Sequence, residues 1–213
     1  MEFEKLLEIV GDAPLFETGL LLAGGVKPAN VRRQLSRWTA AGKLLQLRRG
    51  LYTLAPPYQK TKPHPFVIAN ALVRGSYVSL QAALAHYALI PEYVPVVTSV
   101  STARPGTWET SLGHYTYRHI KVALLYGYSQ VDLGSGQQAF LATPEKALLD
   151  LVYLEPGGDT VEYLEGLRLQ ALERLDLARL RAMAERAESP KLLRAVDVIT
   201  SMARDEAEAY EIL

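Results

Sequence analysis

A proline-rich segment over residues 55–63 divides this sequence into two parts. It contains Pro56, Pro57 and Pro63. Proline fixes the backbone angle φ and has no N–H to donate, so such a segment continues neither a helix nor a central strand. We therefore expect a small N-terminal domain over residues 1–60. A larger domain over residues 64–213 is expected to follow it.

The N-terminal part has the pattern of three helices. Apolar residues at helical spacing predict a short helix over residues 2–10, and a second short helix is expected over residues 16–23. Gly24-Gly25 ends the second helix, because glycine adopts turn conformations at low cost. Pro28 suits the first turn of a third helix, which continues to residue 41 and closes at Gly42.

A β-hairpin is expected after the third helix. Two short apolar runs, residues 44–47 and 51–54, flank the basic turn Arg48-Arg49-Gly50. Helices followed by a hairpin of this kind form a winged helix-turn-helix. The sequence therefore predicts an N-terminal winged helix-turn-helix that binds double-stranded DNA.

The charge distribution supports a polyanionic partner for this part. Residues 1–62 hold ten basic and five acidic residues, whereas residues 155–213 hold eight basic and thirteen acidic residues. Between Val26 and Lys62 there are nine lysine or arginine residues and no acidic residue. A solvated helix face usually mixes both signs, so a single-sign block favours nucleic-acid binding over a merely solvated surface.

The third helix predicts which side chains meet the DNA. Val31, Leu35 and Trp38 lie at i, i+4 and i+7 and should pack inward. Outward arginine, asparagine and glutamine can form paired hydrogen bonds with guanine or adenine edges, and Ser36 and the remaining arginines can contact phosphates. Neutralising roughly five to eight phosphates would make binding steeply salt-dependent. The expected DNA-binding residues are Asn30, Arg32, Arg33, Gln34, Ser36, Arg37, Lys43, Arg48 and Arg49.

The part after residue 63 alternates helical and extended patterns. It predicts an α+β protein in which a mixed α+β domain is followed by an α-helical tail from about residue 157. Thr143-Pro144-Glu145 is a strong helix start. Helices are expected over residues 64–73, 79–87 and from Pro144, then near 160–173, 176–187 and 190–210. Strands are expected over residues 77–78, 94–102, 115–120, 122–126 and 139–143.

Residue patterns in this second part give little support for an enzyme. The chain has no cysteine, and its four histidines match no metal-binding spacing. Gly134-Ser135-Gly136 precedes a strand rather than a helix, which indicates a turn and not a dinucleotide site. Lys146 and Asp150 are four residues apart, as in a helical ion pair, although a functional charged cluster is the alternative. We expect no catalytic residue, no metal and no cofactor.

Two further expectations concern the tyrosines and the location of the protein. Cross-strand packing is expected of four tyrosines, with an RNA-stacking surface as the alternative: Tyr115, Tyr117, Tyr126 and Tyr128. No apolar run approaches the ~20 residues that span a bilayer, and the N-terminus is acidic rather than signal-like. A cytoplasmic protein without membrane contact is therefore expected.

Several motifs resemble the AbiEi-type antitoxins of type IV toxin–antitoxin systems, which are linked to phage abortive infection. The resemblance covers roughly residues 14–155. In the N-terminal part it is carried by Arg33-Gln34-Leu35, Arg37-Trp38, Gly42-Lys43-Leu44 and Arg49-Gly50-Leu51-Tyr52. In the second part it is carried by residues 77–84, Leu89-Ile90-Pro91 and residues 143–151.

This resemblance implies a transcriptional autoregulator. The winged helix would bind an inverted repeat upstream of the protein's own gene and repress it. The C-terminal part would counter a nucleotidyltransferase-like toxin without a stable complex. The alternative is a stand-alone regulator whose C-terminal domain binds a small molecule or a protein.

Overall fold

The computed structural model describes residues 1–22 and 26–211 and is a mixed α+β protein. Its helices are α1 (Phe3–Val10), α2 (Pro28–Ala40), α3 (Pro65–Leu72), α4 (Leu80–His86), α5 (Pro144–Leu154), α6 (Val161–Gly166), α7 (Leu177–Arg186) and α8 (Pro190–Glu211). Its strands are β1 (Phe16–Glu17), β2 (Leu44–Arg48), β3 (Leu51–Leu54), β4 (Tyr77–Val78), β5 (Val96–Ser101), β6 (Gly106–Thr110), β7 (Gly113–His119), β8 (Tyr128–Asp132) and β9 (Gln138–Ala142). Short 3₁₀ turns cover Thr18–Leu22, Val122–Leu124 and Leu172–Arg174.

The N-terminal unit, residues 1–60, contains three short strands beside its helices. The strand order is β1-β3-β2, and both pairings are antiparallel. The expected helices α1 and α2 and the hairpin β2–β3 are confirmed. The short helix expected over residues 16–23 is confirmed only in part: Phe16 and Glu17 form β1, and a 3₁₀ helix covers Thr18–Leu22. Ala23 and the expected Gly24-Gly25 turn lie outside the described residues.

Pairing with β3 explains why Phe16 is extended rather than helical. Phe16 lies opposite Tyr52 in the ladder, and the two rings stack at 5.8 Å. This contact joins residues that are far apart in sequence, so the local pattern does not reveal it. The α1 helix, α2 and this small sheet share one hydrophobic core, to which Phe3, Leu35 and Trp38 belong.

The C-terminal unit, from residue 64 onward, is built on a mixed sheet with the strand order β6-β7-β5-β4-β9-β8. The pairs β5–β7 and β4–β9 are parallel, and the remaining pairs are antiparallel. The strands expected near residues 77–78, 94–102, 115–120 and 139–143 are confirmed. The strand expected over residues 122–126 is wrong, because Val122–Leu124 is a 3₁₀ turn and Val122 is exposed.

The acidic helical tail is part of the C-terminal core. Helix α5 packs against α4, α7 and α8, and Leu164, Leu180 and Ile199 of the tail are buried in the same cluster as the sheet. The helix expected over residues 160–173 is wrong in length. It ends at Gly166, and the backbone turns through positive φ at Arg168 and Ala171.

Side-chain hydrogen bonds order the proline-rich segment between the units. The Gln59 amide donates to Thr53 Oγ1 at 3.0 Å and to the Leu54 carbonyl at 3.1 Å. The Gln137 side chain accepts from the His64 N–H at 2.8 Å and donates to the Lys62 carbonyl at 3.0 Å. This segment is therefore fixed at both ends rather than acting as a flexible tether.

None of the helices in the described ranges combines the length and the apolar character needed to cross a bilayer.

Candidate nucleic-acid interface

Helix α2 has one apolar face and one polar face. Val31, Leu35 and Trp38 are buried, as their spacing predicts, and the Trp38 ring meets the Phe3 ring edge-on at 5.4 Å. Gly42 closes the helix with a φ of +69°, a conformation that glycine adopts without strain. The packing of this apolar face on α1 fixes which side chains of α2 reach solvent.

Four polar residues of α2 form a stripe on its outer side. Asn30, Arg33, Gln34 and Arg37 lie at i, i+3, i+4 and i+7, and they border one shallow groove together with Met1 and Val26. We call these four residues the polar stripe. Asn30, Arg33 and Arg37 are exposed, and Gln34 is half-buried. The exposed Arg32 and Ser36 lie one position before Arg33 and Arg37 and flank the stripe.

The arginines of α2 have no anionic partner in the part of the chain that the structure describes. No carboxylate of residues 1–22 or 26–206 lies within 4 Å of Arg32, Arg33 or Arg37. The first turn of α2 also contains no acidic residue. The first turn of α2, where the helix dipole is positive, therefore attracts anions together with the guanidinium groups of Arg32 and Arg33, whereas Arg37 lies in the last turn.

The hairpin residues differ in their surroundings. Arg49 is exposed at the turn, and Lys43 is half-buried with its ammonium 4.4 Å from the centre of the Phe3 ring. Arg48 is bound inside the molecule: its guanidinium donates to the Ala71 carbonyl and to the Glu17 carboxylate. The structure therefore brings the residues of α2 together on one surface and places Arg48 against α3.

The other charged cluster that the sequence indicated lies in the C-terminal core. Lys146 and Asp150 form the expected ion pair, but both are almost fully buried, with exposed fractions of 3% and 2%. The Asp150 carboxylate also accepts from Tyr77 Oη at 2.9 Å and from Ser79 Oγ at 2.7 Å. Burial raises the pKa of the Asp150 carboxyl, and the Lys146 ammonium opposes that rise.

The expected tyrosines belong mainly to the interior. Tyr115 and Tyr117 are buried, and the Tyr117 hydroxyl donates to the Ala69 carbonyl at 2.7 Å. Tyr128 stacks on Tyr77 at 4.3 Å, and Tyr126 donates to the Met183 carbonyl at 2.7 Å. Burial raises the pKa of Tyr115 to about 12. Gly134-Ser135-Gly136 forms the turn between β8 and β9, as interpreted from the sequence.

A groove of about 810 Å³ lies between α3, α4 and the sheet, and the sequence pattern did not indicate it. His64, His86 and His114 border it together with Phe66 and Tyr93. Burial lowers the pKa of both His64 and His86. These histidines are far apart in sequence, so no motif predicts the groove. Within residues 1–22 and 26–211, no three metal-ligating side chains come together to hold an ion.

Comparisons with known proteins add little to this geometry. No protein-family model matches the chain, and no curated protein matches it. The crystal structure of the RV2827C protein from Mycobacterium tuberculosis is similar with a TM-score of 0.47 and 17% sequence identity, over 94% of this chain and 80% of that chain.

Proposed function

We propose that this protein binds double-stranded DNA through α2 and acts as a transcriptional regulator rather than as an enzyme. The observation that carries the proposal is the polar stripe, which presents asparagine, glutamine and two arginines along one exposed helix face. An α-helix fits the major groove of B-form DNA, where these side chains can pair with adenine and guanine edges. A surface that only needs to be solvated has no reason to exclude acidic residues.

The order of elements supports a winged helix-turn-helix. Helix α1, the Thr18–Leu22 turn and α2 precede the hairpin β2–β3, and β1 completes the small sheet by pairing with β3. In such an arrangement the Thr18–Leu22 segment would cross the DNA backbone while α2 enters the groove. Arg32, Ser36, Lys43 and Arg49 would contact phosphates.

The antitoxin role is a narrower proposal that comes from the resemblance to AbiEi-type proteins. In that role the protein represses its own promoter and counters a nucleotidyltransferase-like toxin without a stable complex. Co-expression with the product of an adjacent nucleotidyltransferase-like gene would test it. Rescue of growth supports the role, whereas undiminished toxicity argues for a stand-alone regulator.

The groove beside α3 favours the second candidate, a regulator whose C-terminal unit binds a small molecule. Its volume lies in the range of ligand sites, and aromatic and histidine side chains converge on it. Imidazole NMR signals of His64 and His86, followed during titration with indole as a planar aromatic probe, would test this. Shifts limited to the groove histidines support the candidate, and unchanged signals count against it.

The first experiment on DNA binding is fluorescence anisotropy with a duplex from upstream of the gene. A scrambled duplex is titrated beside it at several salt concentrations. Tighter binding to the upstream duplex, weakened steeply by salt, is the expected result. Equal and weak binding to both duplexes would contradict a sequence-specific regulator.

Replacing both arginines of the polar stripe tests whether this surface binds DNA. Arg33→Ala with Arg37→Ala should abolish specific binding and leave the fold intact, because both side chains are exposed. The matched control is Arg104→Ala with Lys121→Ala, which also removes two exposed positive charges but lies in the C-terminal unit. Wild-type affinity in the first variant, or an equal loss in both, would contradict the assignment.

A further inference from the structure

The tip of the β2–β3 hairpin is attached to the C-terminal unit. Arg48 Nε and Nη2 donate to the Ala71 carbonyl at 3.3 Å and 3.1 Å, and Nη2 also lies 3.2 Å from Glu17 Oε1. Ala71 is in the last turn of α3, where backbone carbonyls have no partner within the helix. A guanidinium at that position satisfies the carbonyl and faces the negative end of the helix dipole.

A second arginine strengthens this attachment. The other oxygen of the Glu17 carboxylate binds Arg74, which lies just after α3. Glu17 therefore bridges one arginine from the hairpin and one from the C-terminal unit. The carboxylate is only partly exposed, so its interactions are less screened than those of a fully solvated ion pair.

Apolar contacts hold the same hairpin from its inner side. Leu47 and Leu51 belong to the hairpin, yet both are buried in the core of the C-terminal unit, with exposed fractions of 4% and 1%. The Thr18 N–H donates to the Gly50 carbonyl at 2.9 Å, which ties the turn to the rest of the N-terminal unit. The hairpin tip thus has partners on both units.

Arg49 provides the contrast within the same turn. It is exposed, and its side chain makes no hydrogen bond or ion pair with the residues that the structure describes. The backbone carbonyl of Arg49 accepts from Arg48 Nη1 at 3.2 Å. Arg48 is therefore bound within the protein, whereas its neighbour Arg49 is exposed to solvent.

We infer that Arg48, bridged by Glu17, is an internal anchor that fixes the hairpin and the attached α2 to the C-terminal unit. The inference rests on the proposed DNA-binding function in one respect: it assigns α2 and Arg49 to the DNA surface and removes Arg48 from it. In a free hairpin, both arginines of the tip would reach phosphates or the minor groove. In this protein Arg48 instead holds the hairpin, and with it α2, against the C-terminal unit.

The test compares three variants of the full chain, each with two measurements. Arg48→Gln and Arg49→Gln remove one positive charge from adjacent positions, and Glu17→Gln breaks the bridge without removing a positive charge. The measurements are the urea midpoint of unfolding and the slope of log affinity for the upstream duplex against log salt concentration.

Arg48→Gln and Glu17→Gln should lower the urea midpoint by roughly 0.5–1 M and leave the salt slope no shallower than in the wild type. Arg49→Gln should keep the midpoint and make the slope shallower by about 0.9, the value for one phosphate contact. The inference is overturned if Arg48→Gln keeps the wild-type midpoint or makes the slope as shallow as Arg49→Gln does. If the wild type binds no DNA, the proposed function fails, and the three midpoints alone decide whether Arg48 is an anchor.

Discussion

Lys146 and Asp150 form a buried polar network with Tyr77 and Ser79 inside an apolar core. The Asp150 carboxylate accepts hydrogen bonds from Lys146 of α5, from Tyr77 of β4 and from Ser79, the residue just before α4. This network holds α5, β4 and the start of α4 in fixed positions relative to one another, because a hydrogen bond is lost if one of them moves away. Lys146 and Asp150 are almost fully buried, with exposed fractions of 3% and 2%. We therefore assign these residues a structural role.

Removing one charge of this pair should be more harmful than removing both. Lys146→Met leaves a buried carboxylate without its cation and should lower the unfolding free energy by roughly 3–5 kcal/mol. Adding Asp150→Asn should recover much of that loss, because no net charge is buried and the amide oxygen still accepts from Tyr77 and Ser79. Urea unfolding measures both variants.

Lys5→Met serves as the control for that comparison, because the Lys5–Glu8 pair lies on the surface. It should change the urea midpoint little. A double variant no more stable than Lys146→Met would contradict the structural role argued for the pair.

Residues differ in how far the sequence predicts their roles. The polar stripe follows from helical periodicity alone, because its four members lie within one helix and their exposure depends on the buried face opposite. The role of Arg48 does not follow from the sequence, since its partners Ala71 and Glu17 are 23 and 31 positions away. Only tertiary packing distinguishes Arg48 from Arg49.

At the scale of elements, the start of α5 follows from local sequence signals alone. Thr143 accepts from the Lys146 N–H and begins α5, as Thr-Pro-Glu indicated. Strands β6 and β8 were not predicted, because both lie at sheet edges and are rich in polar or exposed residues. Edge strands lack the apolar alternation that marks a half-buried strand.

Helix α3 begins at a histidine, which makes its start sensitive to pH. His64 Nδ1 accepts from the Phe66 N–H at 3.1 Å, and only the neutral imidazole has this lone pair. Burial lowers the pKa of His64 below 6.5, its ordinary value, and nearby His86 adds to the effect. Just below pH 6.5, the His64 imidazole is therefore protonated more often in the unfolded chain than in the folded chain. Stability should be lost as the pH falls from 6.5 through the pKa of the folded state.

His64→Asn should remove this sensitivity and keep the helix start. Asparagine is a good N-cap and does not titrate, so the variant should match the wild type near pH 7.5. Near pH 5 it should be more stable than the wild type by up to about 1 kcal/mol, the value of one cap. Urea unfolding at both pH values measures this difference.

The exposed His114 gives the control, because His114→Asn changes no helix cap. A His64→Asn variant whose stability follows the wild type at both pH values would show that protonation of His64 does not weaken α3.

At the scale of the whole molecule, the two units have separate cores but share their boundary. Most apolar residues up to Leu54 belong to the N-terminal core, whereas Leu47 and Leu51 extend into the other one. Arg48, Glu17 and Arg74 connect the same surfaces through charge, and Gln137 holds the connecting segment. The proline-rich segment marks where one core ends, but it does not separate the units in space.

This shared boundary leads us to expect a single cooperative unfolding transition for the full chain. Trp38 lies in the N-terminal core, so its fluorescence reports that unit once Trp108 is replaced by phenylalanine. Far-UV circular dichroism is dominated by the helices of the C-terminal unit. In Trp108→Phe the two signals should give the same urea midpoint, because neither unit keeps its packing without the other.

Weakening the boundary should separate the two signals. Leu51→Ala, added to Trp108→Phe, removes a fully buried side chain that spans the boundary and should cost roughly 2–5 kcal/mol. Leu35→Ala, which lies inside the N-terminal core alone, is the matched control for loss of a buried leucine. If the midpoints already differ in Trp108→Phe, the units unfold independently and the boundary does not couple them. If they differ only after Leu51→Ala, the hairpin links the proposed DNA-binding helix to the stability of the C-terminal unit.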